Sequence, residues 1–150
     1  AATLNSTSFT YLVWINITDN AVNREVLGSE AVNNAREWYI STDGKQYFAK
    51  TNVGNVGNST SVVPTGAYHH IALSYDGTNF AFYLDGVLDG SGASAQTFDT
   101  VTRTISNNAN DFLGDMDEII VFDRVLTAAE IQDIYSGVAI TDTGGVFLLS

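Results

Sequence analysis

The sequence has no cysteine and a single proline, and its basic residues are scarce. Without cysteine, neither a disulfide nor a thiolate metal site can form. Six Lys and Arg stand against 17 Asp and Glu, which gives a net charge of −11. A surface of that sign repels nucleic acid phosphates and anionic lipid. We therefore predict no nucleic-acid partner. No apolar run is long enough to span a bilayer, so we also predict no membrane insertion.

Apolar residues at every second position are the main pattern that is present. They alternate with small or polar residues over 71–75 and over 80–84, within the stretch from Tyr68 to Gly92. The first run ends at Asp76-Gly77 and the second at Asp85-Gly86. Since a tight hairpin turn needs a positive φ that glycine adopts without strain, this pattern predicts paired antiparallel strands.

The same pattern predicts further strands, and their number indicates an all-β protein. They cover residues 9–17, 25–29, 96–106 and 117–123, with a second hairpin of 37–40 and 46–50 around Asp43-Gly44. Residues 52–65 are rich in Gly, Asn and Ser and are predicted to be an exposed connection. About ten strands separated by turns are typical of two antiparallel sheets packed face to face.

One short helix is predicted near the C-terminus. Thr127 and Glu130 have the spacing of a capping box, in which each side chain bonds a free backbone amide of the first turn. Gly137 is placed to end the helix. The helix is therefore about two turns long.

Three segments resemble the laminin-G-like, concanavalin A-like domains. FTYLVW at 9–14 is similar to the opening strand FTISAW, and residues 68–86 are similar to W-H-H-V-A…Y-D-G…L-Y-V-D-G. Residues 112–131 are similar to F-x-G-x-I-D-E-V…N-R-A-L-S-x-x-E-I. The resemblance covers most of 9–135 and implies an all-β antiparallel jelly-roll sandwich, with residues 1–150 as a single domain.

Both ends of the chain differ from this family. Members usually have a strand before the FTISAW segment, whereas only eight residues precede Phe9 here. Residues 138–150 form an extension with an apolar end, and an exposed apolar edge strand favours aggregation. We favour the interpretation that this extension fills the missing edge position in its own sheet. The alternative is that it donates a strand to a second copy and builds a homo-oligomer or filament.

The resemblance implies a binding protein outside the cell, either secreted, on the cell surface or on a virion. Relatives include lectins, adhesion modules and carbohydrate-binding modules, so we expect a non-catalytic module whose partners are glycans or cell-surface polymers. A structural subunit of a surface filament or viral particle is the alternative. A glycoside hydrolase is a more distant one, because hydrolysis needs two carboxylates across a cleft. Glycosidases of related sandwich fold have a strand motif with three acids, and Asp115 and Asp117 are the nearest match here. The third acid of that motif is missing, because Ile120 stands at its position.

Aromatic side chains are the candidates for sugar contact. Trp38, Tyr39 and Tyr47 lie on the second predicted hairpin, and Tyr68 precedes the central one. Such rings can stack on sugars while Asn and Asp side chains bind hydroxyl groups. The alternative is that each ring simply belongs to the core.

Acidic residues around position 117 are the candidates for calcium ligands. Asp117 matches an acid of the family pattern, and Asp115 lies two residues before it. Strand alternation predicts that Asp117 and Glu118 point to opposite faces. The other interpretation is that Asp117 accepts backbone amides and binds no ion. His69 and His70 are also expected on opposite faces, one packed inside and one hydrogen-bonded nearby.

Three Asn-x-Ser/Thr sequences are candidates for glycosylation in an exported protein. They begin at Asn5, Asn16 and Asn58. Asn58 is the best of them because it lies in a polar segment. The alternative is chance, since the chain is rich in Asn, Ser and Thr.

Overall fold

The computed structural model describes residues 6–29, 34–100, 103–106, 111–140 and, for the backbone alone, 146–149. Within these residues the chain forms eleven strands and one helix. Their bounds are β1 Phe9–Ile17, β2 Arg24–Ser29, β3 Arg36–Ile40, β4 Gln46–Lys50, β5 Gly54–Asn58, β6 His69–Tyr75, β7 Asn79–Leu84, β8 Val87–Ala93, β9 Arg103–Ile105, β10 Gly114–Phe122, α1 Ala128–Tyr135 and β11 Val146–Leu149.

The strands form two antiparallel sheets, and the core lies between them. The six-stranded sheet has the order β11-β10-β1-β6-β7-β8, and the five-stranded sheet has the order β5-β4-β3-β2-β9. Alternate residues of both sheets point inward and are buried, among them Val13, Ile15, Trp38, Ile40, Phe48, Leu73, Tyr75 and Phe82. Burial of each large apolar side chain contributes about 1.5–3 kcal/mol. The predicted two-sheet jelly roll with one short helix is confirmed.

The Asp-Gly turns are where the sequence predicts them. Asp85 and Gly86 have φ of +50° and +78° and join β7 to β8 as a two-residue loop. At the preceding turn, Asp76 Oδ1 accepts the backbone amides of Thr78 and Asn79 at 2.8 and 2.6 Å. These local bonds hold the turn, so that β6 and β7 pair in the register that buries their apolar face.

Two predicted segments differ from the structure. Residues 52–65 are not a simple connection, because β5 lies within them and pairs with β4. Its sequence, GNVGN, has little strand propensity, and the open backbone of β4 determines its conformation instead. The strand predicted over 96–106 is limited in the described residues to β9, while the Phe98 side chain packs against the core.

One aromatic ring closes the sandwich along the side where β5 and β8 meet. A β-carbon at Gly57 of β5 or at Gly92 of β8 would overlap the ring of Phe80. Just beyond β5, the amide of Thr60 donates to the Asp89 carbonyl of β8 at 2.6 Å. We call this contact between the two sheets the Phe80 seam.

Helix α1 covers part of the outer face of the six-stranded sheet. Ile131 is fully buried there and belongs to a second apolar cluster with Leu12, Ala72, Tyr83, Phe122 and Leu126. The predicted capping box is present: Glu130 N donates to Thr127 Oγ1 at 3.2 Å, and Thr127 N donates to Glu130 Oε2 at 2.8 Å. Gly137, with φ of +75°, follows the last turn.

The C-terminal extension adds β11 to the edge of the six-stranded sheet, beside β10 of the same chain. This is the position that the favoured interpretation assigns to it, whereas strand donation to a second copy stays a hypothesis. Among the described residues, the helix is too short and too polar to cross a membrane.

Candidate functional site

A row of four paired side chains crosses the outer face of the five-stranded sheet. Glu25 of β2 pairs with Tyr39 of β3, Tyr39 pairs with Tyr47 of β4, and Tyr47 pairs with Asn58 of β5. The neighbours of the tyrosines along each strand, such as Trp38, point into the core, so alternation directs both phenol rings outward. We call this set the tyrosine row.

The two phenol rings of the row are parallel and held in place. Their centroids are 5.6 Å apart and their planes differ by 14°. Tyr39 Oη donates to Asn55 Oδ1 at 2.8 Å, and Tyr47 Oη donates to Asp43 Oδ2 at 3.1 Å. Partial burial, followed by the charge of Glu37, raises the pKa of Tyr39. The row therefore presents neutral, ordered aromatic surface that is partly open to solvent.

A buried carboxyl group stands at one end of the row. Glu25 is only 4% exposed, and its Oε1 atom has no hydrogen-bond partner. Burial, and next the charge of Glu37, raises the pKa of Glu25 to about 7. A β-carbon at Gly28 would overlap this carboxyl, so the glycine provides the space that it occupies. The sequence analysis missed Glu25; the only signal was an acid inside a predicted strand three residues before a glycine.

Trp38 is inside the core and does not join the tyrosine row. It is 1% exposed, and its Nε1 donates to Gln46 Oε1 at 3.3 Å. Strand alternation places Trp38 and Tyr39 on opposite faces of the sheet. The Trp38 ring therefore belongs to the core, as the alternative interpretation states. In this structure its ring faces are not accessible to a sugar.

Tyr68 lies on the other side of the molecule, in a pocket of about 410 Å³. The pocket is outside the six-stranded sheet, at the C-terminal end of α1. It is lined by Trp14, Tyr68, Asp117, Glu118, Ile134, Tyr135 and Gly137. We call it the Trp14 pocket. Because it opens away from the five-stranded sheet, the structure does not bring Tyr68 together with Tyr39 and Tyr47.

The prediction that Asp117 and Glu118 point to opposite faces is wrong. Leu12 pairs with Ile120 whereas Trp14 pairs with Asp117, so β10 contains one extra residue at this point. Glu118 has φ of +50° within this β-bulge. The extra residue interrupts the alternation, and both acidic residues line the Trp14 pocket.

The residues around Asp117 are few for a calcium ion. In the part of the chain that the structure describes, no three His, Asp or Glu side chains are grouped so that they could hold a metal. Asp117 Oδ1 accepts the backbone amide of Glu118 at 2.8 Å. Calcium takes six to eight oxygen ligands, and Asp115 and Asp117 would supply two carboxylates. Calcium binding there stays a prediction.

The two histidines occupy different environments, as predicted. His69 Nδ1 is 2.8 Å from Asp85 Oδ2. His70 is 1% exposed, and its ring lies 5.2 Å from that of Trp14 and 5.9 Å from that of Tyr135. Burial lowers the pKa of His70 to about 4, so this imidazole is neutral at physiological pH.

The glycosylation candidates differ in access. Asn58 is exposed, and its Nδ2 donates to the Ser59 carbonyl at 2.8 Å. Asn16 is half-buried within β1, where it pairs with Asp115. Asn5 lies outside the described residues. Modification at these asparagines stays a prediction.

Comparison with known proteins points to one family. The family model Laminin_G_3, described as the concanavalin A-like lectin/glucanases superfamily, matches residues 1–132. Comparison with curated protein sequences gives no significant match.

Solved structures with the same fold include domains found with carbohydrates. A sialidase module (CBM40) from Ruminococcus gnavus, bound to α2,3-sialyllactose, superposes with a TM-score of 0.74 at 14% identity, over 87% of this chain and 83% of that one. Domain 4 of the arabinanase AbnA from Geobacillus stearothermophilus, in complex with arabinotriose, superposes with a TM-score of 0.72 at 19% identity. The match covers 88% of this chain and 68% of that one.

A third similar structure is longer than this chain. It is a Bacteroides ovatus protein with a proposed carbohydrate-binding role, and it superposes with a TM-score of 0.71 at 22% identity. The match covers 84% of this chain and 40% of that protein. At such identities the three comparisons show the shared fold.

Proposed function

Because the chain belongs to the concanavalin A-like lectin/glucanases superfamily, we propose that it is a non-catalytic carbohydrate-binding module acting outside the cell. The observation that carries this proposal is the ordered tyrosine pair on an outer sheet face. Similar domains of a sialidase and an arabinanase have been captured with oligosaccharides, which supports a glycan as the ligand class. The partner in this proposal is a glycan or a cell-surface polymer.

The tyrosine row offers the two kinds of contact that a sugar needs. The C–H face of a pyranose or furanose packs on the accessible face of a phenol ring, and its hydroxyls bind nearby polar groups. Asn55 and Asp43 already hold the two phenol hydroxyls, and Asn58 ends the row. These side chains can exchange or share their hydrogen bonds with sugar hydroxyls. The rings need little reordering on binding, which reduces its entropic cost.

A glycan array followed by calorimetry tests the proposal. We expect Tyr39→Ala and Tyr47→Ala each to weaken binding of the best array ligand at least tenfold, because each removes one stacking surface worth about 1.4 kcal/mol or more. Tyr68→Ala is the matched control: it removes an exposed tyrosine from the other side of the sandwich and should leave the affinity unchanged. No ligand on a broad array, or equal losses in all three variants, would contradict the proposal.

Hydrolysis is a second candidate function, and the neighbouring carboxyl groups of Glu25 and Glu37 are the observation that favours it. A glutamic acid with a raised pKa can serve as a general acid. However, Glu25 is 4% exposed and lies against Gly28, which argues against contact between its carboxyl group and a glycosidic oxygen at the surface. We therefore expect no new reducing ends when the protein is incubated with its array ligand. Release of sugar that Glu25→Gln abolishes would establish the hydrolase instead.

A further inference from the structure

The Trp14 pocket combines aromatic walls with negative charge, and none of its residues belongs to the proposed sugar site at the tyrosine row. The rings of Trp14 and Tyr135 are stacked, with centroids 5.5 Å apart and planes 24° from parallel. Tyr68 stands at the same pocket and is 50% exposed. The volume of about 410 Å³ is within the range of small-molecule sites. The pocket therefore provides aromatic surface in an open concavity.

The charge in this pocket is of one sign. Its two charged lining residues among those described are Asp117 and Glu118, and both are exposed. The C-terminal end of α1 adds Tyr135 and Gly137, and the dipole of a helix places partial negative charge at its C-terminus. Beneath the Trp14 ring, the buried imidazole of His70 is neutral and adds no opposing positive charge.

The β-bulge in β10 is what creates this combination. In a regular strand only one of two successive acids would face the pocket, and the other would point into the core. The extra residue allows Asp117, paired with Trp14, and Glu118 to stand at the same opening. An aromatic ring and two acidic residues therefore line a single volume.

We propose that the Trp14 pocket binds an organic ammonium ion. Aromatic faces attract cations through the ring quadrupole, and carboxylates add direct Coulomb attraction. A hydrated inorganic cation cannot use ring faces, and a neutral sugar does not need two carboxylates. An ammonium group with carbon substituents uses both, because its methyl or methylene groups contact the rings while its charge faces the acids. Recognition of this kind is additional to glycan binding at the tyrosine row.

Two sources of such a group are compared in the test. Choline represents a quaternary ammonium on a small molecule, and n-butylammonium represents the primary ammonium of a lysine side chain. The matched neutral probe is 3,3-dimethylbutan-1-ol, which has the shape of choline with carbon in place of the charged nitrogen. Each probe is titrated into the protein with a chelator present, and binding is followed by tryptophan fluorescence and calorimetry. Trp14 is the half-buried tryptophan and reports on the pocket, whereas Trp38 is in the core.

We expect choline or n-butylammonium to bind at least tenfold more tightly than the neutral alcohol. Asp117→Asn and Glu118→Gln should each weaken that binding threefold or more, and Trp14→Leu should abolish it. Asp133→Asn is the control, because it removes an exposed acid of α1 that does not line the pocket. Whichever cation binds more tightly identifies the source of the ammonium group.

Three results would overturn the proposal: equal affinity for choline and the neutral alcohol, equal losses in Asp133→Asn and Asp117→Asn, or binding only when calcium replaces the chelator. Circular dichroism of every variant separates a lost pocket from a lost fold. Tyr39→Ala should leave cation binding unchanged, which keeps this test separate from that of the tyrosine row.

Discussion

Glu25 and His70 are buried titratable side chains whose effects on stability oppose each other in weak acid. Burial raises the pKa of Glu25 from 4.5 to about 7 and lowers the pKa of His70 from 6.5 to about 4. Both side chains are thus neutral in the folded protein between about pH 4.5 and 6.5, while both are charged in the unfolded chain. We expect the substitutions Glu25→Gln and His70→Phe to reveal the two effects separately.

The signs follow from proton linkage. For Glu25 in this pH range the folded state holds one more proton than the unfolded state, so the free energy of unfolding falls as the pH rises. For His70 the unfolded state holds the extra proton, so the free energy of unfolding rises with pH. Each effect is at most about 1.4 kcal/mol per pH unit and sums to about 2 kcal/mol across the window from 4.5 to 6.5, because each side chain is half titrated in the unfolded chain at one end of the window. In the unmodified protein the two nearly cancel.

Urea denaturation from pH 4.5 to 8 measures these slopes. Relative to the unmodified protein, Glu25→Gln should gain about 2 kcal/mol of unfolding free energy between pH 4.5 and 6.5, with a small further gain up to pH 7. His70→Phe, which keeps a ring against Trp14 and Tyr135, should lose a similar amount over the same range. Such changes are a large part of an ordinary stability of about 5–15 kcal/mol.

The comparison uses slopes because a substitution in the core also shifts stability at every pH. Glu118→Gln is the control, since it neutralises an exposed carboxylate of the other sheet and should run parallel to the unmodified protein. If the plot of unfolding free energy against pH for Glu25→Gln is also parallel to that of the unmodified protein, the Glu25 carboxyl titrates normally. Its burial over Gly28 then has no electrostatic consequence. That result would refute the reasoning.

Three further predictions concern the helix cap, the C-terminal extension and the candidate calcium ligands. Thr127→Ala should lower the unfolding free energy by about 1 kcal/mol in urea, because it removes the helix cap, and an unchanged midpoint would contradict this. Removal of residues 138–150 should give a monomer with a lower melting temperature on size exclusion and calorimetry, whereas a shift from oligomer to monomer would favour strand donation. If calcium binds Asp115 and Asp117, then calcium at ten times its Kd should stabilise the fold by about 1.4 kcal/mol, and Asp117→Asn should remove the effect. No shift in melting temperature on adding calcium or chelator would remove that site.

Much of the fold was predictable because local signals agree with the tertiary structure. The turn at Asp85-Gly86 needs two positive φ values, and the capping box of Thr127 is a bond between near neighbours. Such features depend on a few adjacent residues. By contrast, β5 has a sequence typical of a loop and is a strand because β4 offers it a partner. That partner is the preceding strand, only three residues away, but GNVGN itself has no alternating apolar residues that would predict a strand.

The candidate sites were less predictable for the same reason. Alternation can separate Trp38 from Tyr39, but the aromatic composition of both faces did not show which one was inside. The position of Glu118 depends on one extra residue in β10, and a bulge has no reliable signature in a single sequence. The raised pKa of Glu25 depends on Gly28 and on Glu37 of a neighbouring strand. Three-dimensional proximity of this kind appears only in the structure.

The Phe80 seam affects how the domain behaves when it is crowded or partly unfolded. Unpaired strand edges template intermolecular association, and two packed sheets have four of them. Here the edges formed by β5 and β8 are held against each other by a ring that lies on Gly57 and Gly92. Larger side chains at these glycines would push the ring out and release both edges at once. Engineering for solubility should therefore leave both glycines unchanged and add charge to the opposite edges, β9 and β11.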